Sequence, residues 1–283
     1  MTVSLRPAAE PSRDLSHPSG ALRLRPLHPL FGAEVEDIDL SRDGAVIPAL
    51  RRALASHLVL VLRGQSLTPV QQVAVTALLG PVARHPLAAL SLPGSPEVVV
   101  EDSGGDDRES RWHADLAWSA TPASVSAVAA HEADGLTTEF ATQVGAYERL
   151  DPWLRDRIEF LEAEHDHPRR AATGLPAVAH PLVRLDSGTG RRALLLDPSS
   201  AGRIRGLPAA ESDDLLHRLH AAATHPALVW RHRWTAGDLL LWDNAALLHR
   251  TRRAAAGRLH RTMVRGEAPV GPAAVSMPWV SAG

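Results

Sequence analysis

Leu58-Val59-Leu60-Val61-Leu62 has no polar position. A run this short, continuously apolar and rich in β-branched residues, is a strand covered on both faces. Asp238–Trp242, near the other end of the chain, reads as a further buried strand. Shorter β signals surround these two: Leu22–Arg25 and Gly32–Ile38 alternate with period two, and Glu97–Val100, Ala123–His131, Ala227–Trp234 and Leu259–Val264 add further strands. His180–Leu185 and Arg191–Leu196 read as a hairpin about Ser187-Gly188-Thr189-Gly190. Helical periodicity covers Pro48–His57, a segment from Thr68 to Gly80, Tyr147–Leu161 with a break at Asp151-Pro152, and Glu211–Ala223. Thr68 suits the N-cap and Pro69 the first helical position of the second of these. Many short strands with a few flanking helices predict one mainly β (α+β) domain, a sandwich or barrel, over residues 22–270. Residues 1–21 are expected to be a disordered lead-in and 271–283 a C-terminal tail.

Composition narrows the chemistry. Cysteine is absent, which excludes disulfides, thiolate metal sites and cysteine nucleophiles. Any metal must be held by nitrogen and oxygen, drawn from 15 histidines and 32 acids. A formal net charge of −2 gives no electrostatic reason to expect nucleic acid or an anionic membrane as partner. No apolar run approaches the ~18–20 residues of a membrane span, and Met1–Gly20 lacks the apolar core of a signal peptide. The expectation is a cytoplasmic protein acting on a small molecule, with a homo-oligomer left open.

Trp112-His113-Ala114-Asp115 carries the chemistry. In an extended segment residues i and i+2 point to one side, with Cα atoms roughly 6.5–7 Å apart, so an imidazole and a carboxylate can reach one ion. His249, beyond the Leu239–Trp242 strand, is the candidate third ligand. Two histidines and a carboxylate on one face of a metal is the arrangement of non-haem Fe(II) oxygenases. His165-Asp166-His167 has the same spacing and competes on geometry; following a predicted helix, it is assigned to structure or surface. On the last strand Arg261 and Arg265 share a face about 13 Å apart, where each could hold an anion or a surface salt bridge.

These segments, in this order, resemble the TauD/TfdA family of Fe(II)- and 2-oxoglutarate-dependent dioxygenases. The resemblance runs from about Leu22 to Arg265. It includes Leu58–Gln65 with Thr68-Pro69 and Gln71, Trp112–Asp115, Gly135–Leu150, His180–Arg184, Gly237-Asp238, Trp242-Asp243-Asn244, His249 and His260–Arg265. It implies a double-stranded β-helix (jelly-roll) core, iron held by His113, Asp115 and His249, and Arg261 with Thr138 on the distal carboxylate of 2-oxoglutarate. His85, Glu109, Leu195 and Arg265 fall where members of the family contact substrate, Arg265 as an anion anchor. The implied reaction consumes O2 and 2-oxoglutarate, releases succinate and CO2, and oxidises, by default hydroxylates, a C–H bond of a small anionic substrate. Departures are Ala245 after Asn244, where arginine is common, and the basic Arg250–Arg253 stretch. Glu109 and Leu195 argue against taurine itself. Two other readings stay open on residues alone: a zinc hydrolase with the same ligands, and a non-enzymatic ligand-binding or sensor domain on the same scaffold.

Overall fold

The computed structural model describes residues 22–102, 111–133, 135–167, 174–186, 189–252 and 257–272. Val59–Leu62 is a strand with all four residues buried, paired antiparallel with Leu239–Asp243. Leu239–Asp243 pairs in turn with Ala123–Ala133, which pairs with Gly257–Arg265. Ala33–Glu36 and Arg23–Pro26 extend this large sheet on one side, and Ser95–Asp102 on the other. A second, three-stranded sheet holds Thr137–Thr142 between Val229–Arg233 and Leu247–Arg252.

Period-two geometry explains why the two central runs are wholly apolar. Leu60, Leu62, Leu239 and Leu241 face outward onto the helices Ile47–His57 and Pro69–Leu79, meeting Leu50, Leu54, Val75 and Leu79. Val59, Val61, Leu240 and Trp242 face inward and pack with Phe140 and Leu247 of the second sheet. The Phe140 and Trp242 rings meet edge-on, with centroids 5.4 Å apart. The outer face of the small sheet is covered by Leu215, Leu216 and Leu219 of the helix Ala209–Ala223, packed with Ala141, Leu228 and Leu248. Two facing antiparallel sheets flanked by helices make the mainly β jelly-roll core.

Thr68 caps Pro69–Leu79 through a capping box with Gln71, and the helix stops at Gly80. Elsewhere the structure departs from the sequence reading. Tyr147–Leu161 is not one broken helix: Gln143–Glu148 and Pro152–Ile158 are separate helices, and Glu162–His165 is a strand. Thr137–Thr142 and Leu247–Arg252 are strands as well, and His249 lies within the second of them. Their polar residues are partnered inside the fold, so no apolar–polar alternation marks them. Glu139, for one, is buried and ion-paired with Arg231 and Arg250. No described helix is long and apolar enough to cross a membrane. The expected lead-in, the Ser103–Glu109 loop and most of the expected C-terminal tail lie outside the described residues.

Candidate metal centre

The segment before Asp115 is tied to the small sheet by a two-bond bridge. His113 N donates to His249 O at 3.0 Å and His249 N donates to His113 O at 2.8 Å. Asp115 is then fixed through its own backbone by Asn244. Asp115 N donates to Asn244 Oδ1 at 2.8 Å, and Asn244 Nδ2 donates to the carbonyls of Asp115 (3.0 Å) and Ala123 (2.8 Å). Leu116, next in sequence, takes a positive φ of 57°, which turns the chain away and leaves the Asp115 side chain aimed between the sheets. Ser126 Oγ, on the large sheet, donates to Asp115 Oδ2 at 2.5 Å. One carboxylate oxygen is thereby occupied and the other left toward the histidines.

His113, Asp115 and His249 bring one potential ligand atom each to within 4.8 Å of one another. His249 Nε2 and Asp115 Oδ1 are 3.7 Å apart, and the two imidazole centroids 4.2 Å. His113 Nδ1–H donates to the Arg111 carbonyl at 2.8 Å, which fixes the tautomer and frees Nε2 as a ligand. His249 and Asp115 are buried and His113 is half-buried, so the cluster opens on one side only. Arg261 enters from the last strand: Nη1 contacts Asp115 Oδ1 and lies 3.3 Å from His249 Nε2, and Nε stands 2.7 Å from Glu101 Oε1. Burial alone would raise the Asp115 carboxyl. Arg261 foremost, then His249, His113 and the Ser126 hydroxyl, hold it well below the usual carboxylate range. Burial first, and then His113, depress His249. An ionised carboxylate beside the unprotonated imidazole of His249 suits a divalent cation. Two nitrogens and one oxygen, with no sulfur, fit Fe(II) with open positions opposite.

Residues 23–266 match the family described as taurine catabolism dioxygenase TauD, TfdA family. The chain belongs to the TauD/TfdA family. It is 34% identical over 264 residues to the alpha-ketoglutarate-dependent 2,4-dichlorophenoxyacetate dioxygenase of Cupriavidus pinatubonensis, covering 81% of this chain and 91% of that one. It is 30% identical to the alpha-ketoglutarate-dependent sulfate ester dioxygenase of Pseudomonas putida, covering 81% and 83%. The crystal structure of a taurine dioxygenase from Burkholderia xenovorans superposes with a TM-score of 0.81 at 30% identity, over 89% of this chain and 94% of that one. AAD-2 in complex with Mn(II) and N-oxalylglycine superposes with a TM-score of 0.73 at 27% identity, over 88% and 99%. This TauD/TfdA protein is a 2-oxoglutarate-dependent non-haem iron dioxygenase, using Fe(II), 2-oxoglutarate and O2. The zinc-hydrolase and sensor readings fall away.

His113 and Asp115 of the triad line a cavity of about 340 Å³. Arg261 and His85 line it with Thr251, and Leu90, Val99, Leu116, Trp118 and Met263 give it an apolar side. His85 accepts a bond from Leu87 N at 3.1 Å, and its ring meets Trp118 edge-on at 6.4 Å. Thr138 is buried one layer back: its hydroxyl accepts from Trp234 Nε1 at 2.8 Å and is 3.0 Å from the Thr251 hydroxyl. Two expected substrate residues are not brought here. Leu195 is buried and Arg265 exposed, and neither lines the cavity. The pairing of the last strand with Ala123–Ala133 shifts between Val264 and Arg265, where the neighbouring strand carries an extra residue, Ser124, and Arg265 lies past this shift. Glu109 lies outside the described residues.

Two acids of the cavity were missed by sequence reasoning: Glu101, the ion-pair partner of Arg261, and Asp197. Asp197 accepts from Ser199 N at 2.7 Å and Ala114 N at 3.4 Å, and burial raises its pKa. Neither sits in a motif; only pairing of Ser95–Asp102 with the last strand brings Glu101 near Arg261.

Proposed function

We propose that this cavity oxidises, by default hydroxylates, a C–H bond of a small substrate carrying a carboxylate, sulfonate or sulfate group on an apolar body. The observation that carries the oxidation and the apolar body is the joining of the metal cluster, through His113 and Asp115, with Arg261 and an apolar side at a single cavity; the acidic group rests on the relatives. The names of the relatives point the same way, being dioxygenases of 2,4-dichlorophenoxyacetate, (S)-phenoxypropionate and sulfate esters. His113, Asp115 and His249 would hold iron, which with 2-oxoglutarate and O2 supplies the oxidising power. The protein's own share is orientation and exclusion of competing reactions.

Arg261 is the one arginine among the described residues lining the cavity. With Arg265 outside, it is assigned the cosubstrate carboxylate, with Thr138 acting from one layer back through the Thr251 hydroxyl that lines the cavity, while Glu101 restrains the guanidinium from the side. His85, whose proton affinity burial lowers, faces the substrate as a neutral donor or acceptor. Leu90, Val99, Trp118 and Met263 take the apolar body. The described residues from 22 onward supply every element used, consistent with one domain over residues 22–270.

The test is a panel of aryloxyacetates, alkyl sulfates and alkyl sulfonates with their neutral amide or ester analogues, read out as substrate-dependent succinate release. Coupled turnover is expected with at least one acid class and not with its neutral analogue. Equal turnover of acid and neutral forms would overturn the anionic reading while leaving the metal centre standing.

A further inference from the structure

Arg265 does not stand free: it lines a second cavity, of about 480 Å³, together with Arg51 and Arg184. Among the described residues none of these three guanidiniums has a carboxylate within ion-pair distance. Arg51 donates only to the carbonyls of Leu78 and Leu79, at 3.0 and 2.6 Å. Arg184 is half-buried: burial lowers its pKa, and Asp243 and then Asp186, beyond ion-pair distance, raise it. Arginines elsewhere on the molecule, such as Arg25, Arg84, Arg203, Arg231 and Arg258, are ion-paired. Guanidinium N–H groups not used within the protein remain available to the oxygens of an anion.

The acids of the same cavity do not close on these arginines. Asp186 Oδ1 accepts from Thr189 N and Oγ1 at 2.6 and 2.7 Å. Asp243 Oδ1 accepts from Ala245 N at 2.9 Å, and burial pushes its carboxyl up to about 6. Glu267 is exposed. Ala245, with its single methyl group, leaves the wall open where a longer side chain would fill it.

We propose that this cavity is a second small-molecule site, in which a small dicarboxylate is held between Arg184 and Arg265. Each planar fork matches one carboxylate, and the volume suits a four- or five-carbon chain. The site shares the Asp243-Asn244-Ala245 turn with the metal centre. Asp243 and Ala245 line the new cavity, while Asn244 between them holds the backbone of Asp115. An occupant there bears on the residue that positions the metal carboxylate.

The test uses glutarate as probe in isothermal titration of an Asp115→Ala variant, in which binding at the iron is disabled. One saturable site is expected, lost by about tenfold or more with Arg184→Gln and with Arg265→Gln. Ala245→Leu, which fills the cavity and leaves both arginines in place, is expected to lose it too. Glutaramide, of the same shape without charge, should not bind. Glutarate binding that survives Arg184→Gln and Ala245→Leu, or no saturable binding to Asp115→Ala, overturns the proposal. Equal binding of glutaramide overturns the dicarboxylate assignment.

Discussion

The chain contains two segments with metal-ligand spacing, His113-Ala114-Asp115 and His165-Asp166-His167, and the fold treats them oppositely. The first is bridged to a third histidine by two backbone bonds, and its carboxylate is oriented by Ser126 and Asn244. The second spreads its histidines. His165, fully buried, puts Nδ1 3.0 Å from Ser200 Oγ and lies beside His180 with ring centroids 5.3 Å apart. His167 packs edge-on against Trp118 at 4.4 Å. Among the described residues only the first segment belongs to a cluster that could hold a metal. Spacing within a motif is therefore necessary and not sufficient. What separates the two is a distant strand that delivers the third ligand and a shell that orients the carboxylate.

The largest effects should come from exchanging damage between the two segments. His113→Ala and His249→Ala are expected to lose stoichiometric Fe(II) after anaerobic dialysis, with turnover falling to background. His165→Ala and His167→Ala should retain one iron per chain where they fold. Full iron content in His249→Ala would erase the distinction between the segments.

Next in size is Arg261. Its loss removes a charge-assisted contact worth about 1.5–3 kcal/mol, so Arg261→Ala should raise the 2-oxoglutarate requirement roughly 10–100-fold. Arg261→Lys should recover only part, because an ammonium does not reproduce the planar fork. An unchanged cosubstrate dependence would make Arg261 a structural partner of Asp115 and Glu101 alone.

Ser126→Ala probes the shell that the second segment lacks. Removing the hydroxyl from Asp115 Oδ2 should weaken metal affinity about 10-fold, measured by competition with a chelating dye. Ser200→Ala, beside His165, should leave that affinity unchanged.

The smallest expected effect is on acid stability. Burial first, with His180 and His220 adding, holds His165 down to about 3 from the free value of 6.5. Between those values the unfolded chain binds a proton that the folded chain refuses, so this contribution is intact above pH 6.5 and is lost as pH falls toward 3. His165→Gln should flatten the fall of the urea midpoint over that window, by at most one proton's slope. An unaltered slope would mean that His165 is protonated in the folded state.

Much of this was legible from residues alone. The two apolar runs gave away the centre of the large sheet because a strand covered on both faces needs no polar position. Thr68 and Pro69 announced a helix start because their chemistry is local. The strands Thr137–Thr142 and Leu247–Arg252 stayed hidden because Thr138, Glu139 and Thr251 are buried with partners that only the fold supplies. That Arg265 lines a different cavity from Arg261 left no trace in composition, since packing around the strand end sets it. Glu101 and Asp197 were silent for the same reason: each is placed by strand pairing or loop closure, not by a motif.

The central claim is that His113, Asp115 and His249 hold one Fe(II) with room for a chelating 2-oxo acid. The most direct measurement is anaerobic optical titration with Fe(II) and then 2-oxoglutarate, following the visible charge-transfer absorption that a chelated 2-oxo acid gives on Fe(II). The band should appear only when both are present, saturate at one iron per chain in the wild type and in His165→Ala, and be absent in His249→Ala. A band that persists in His249→Ala, or that vanishes in a folded His165→Ala, would contradict the assignment.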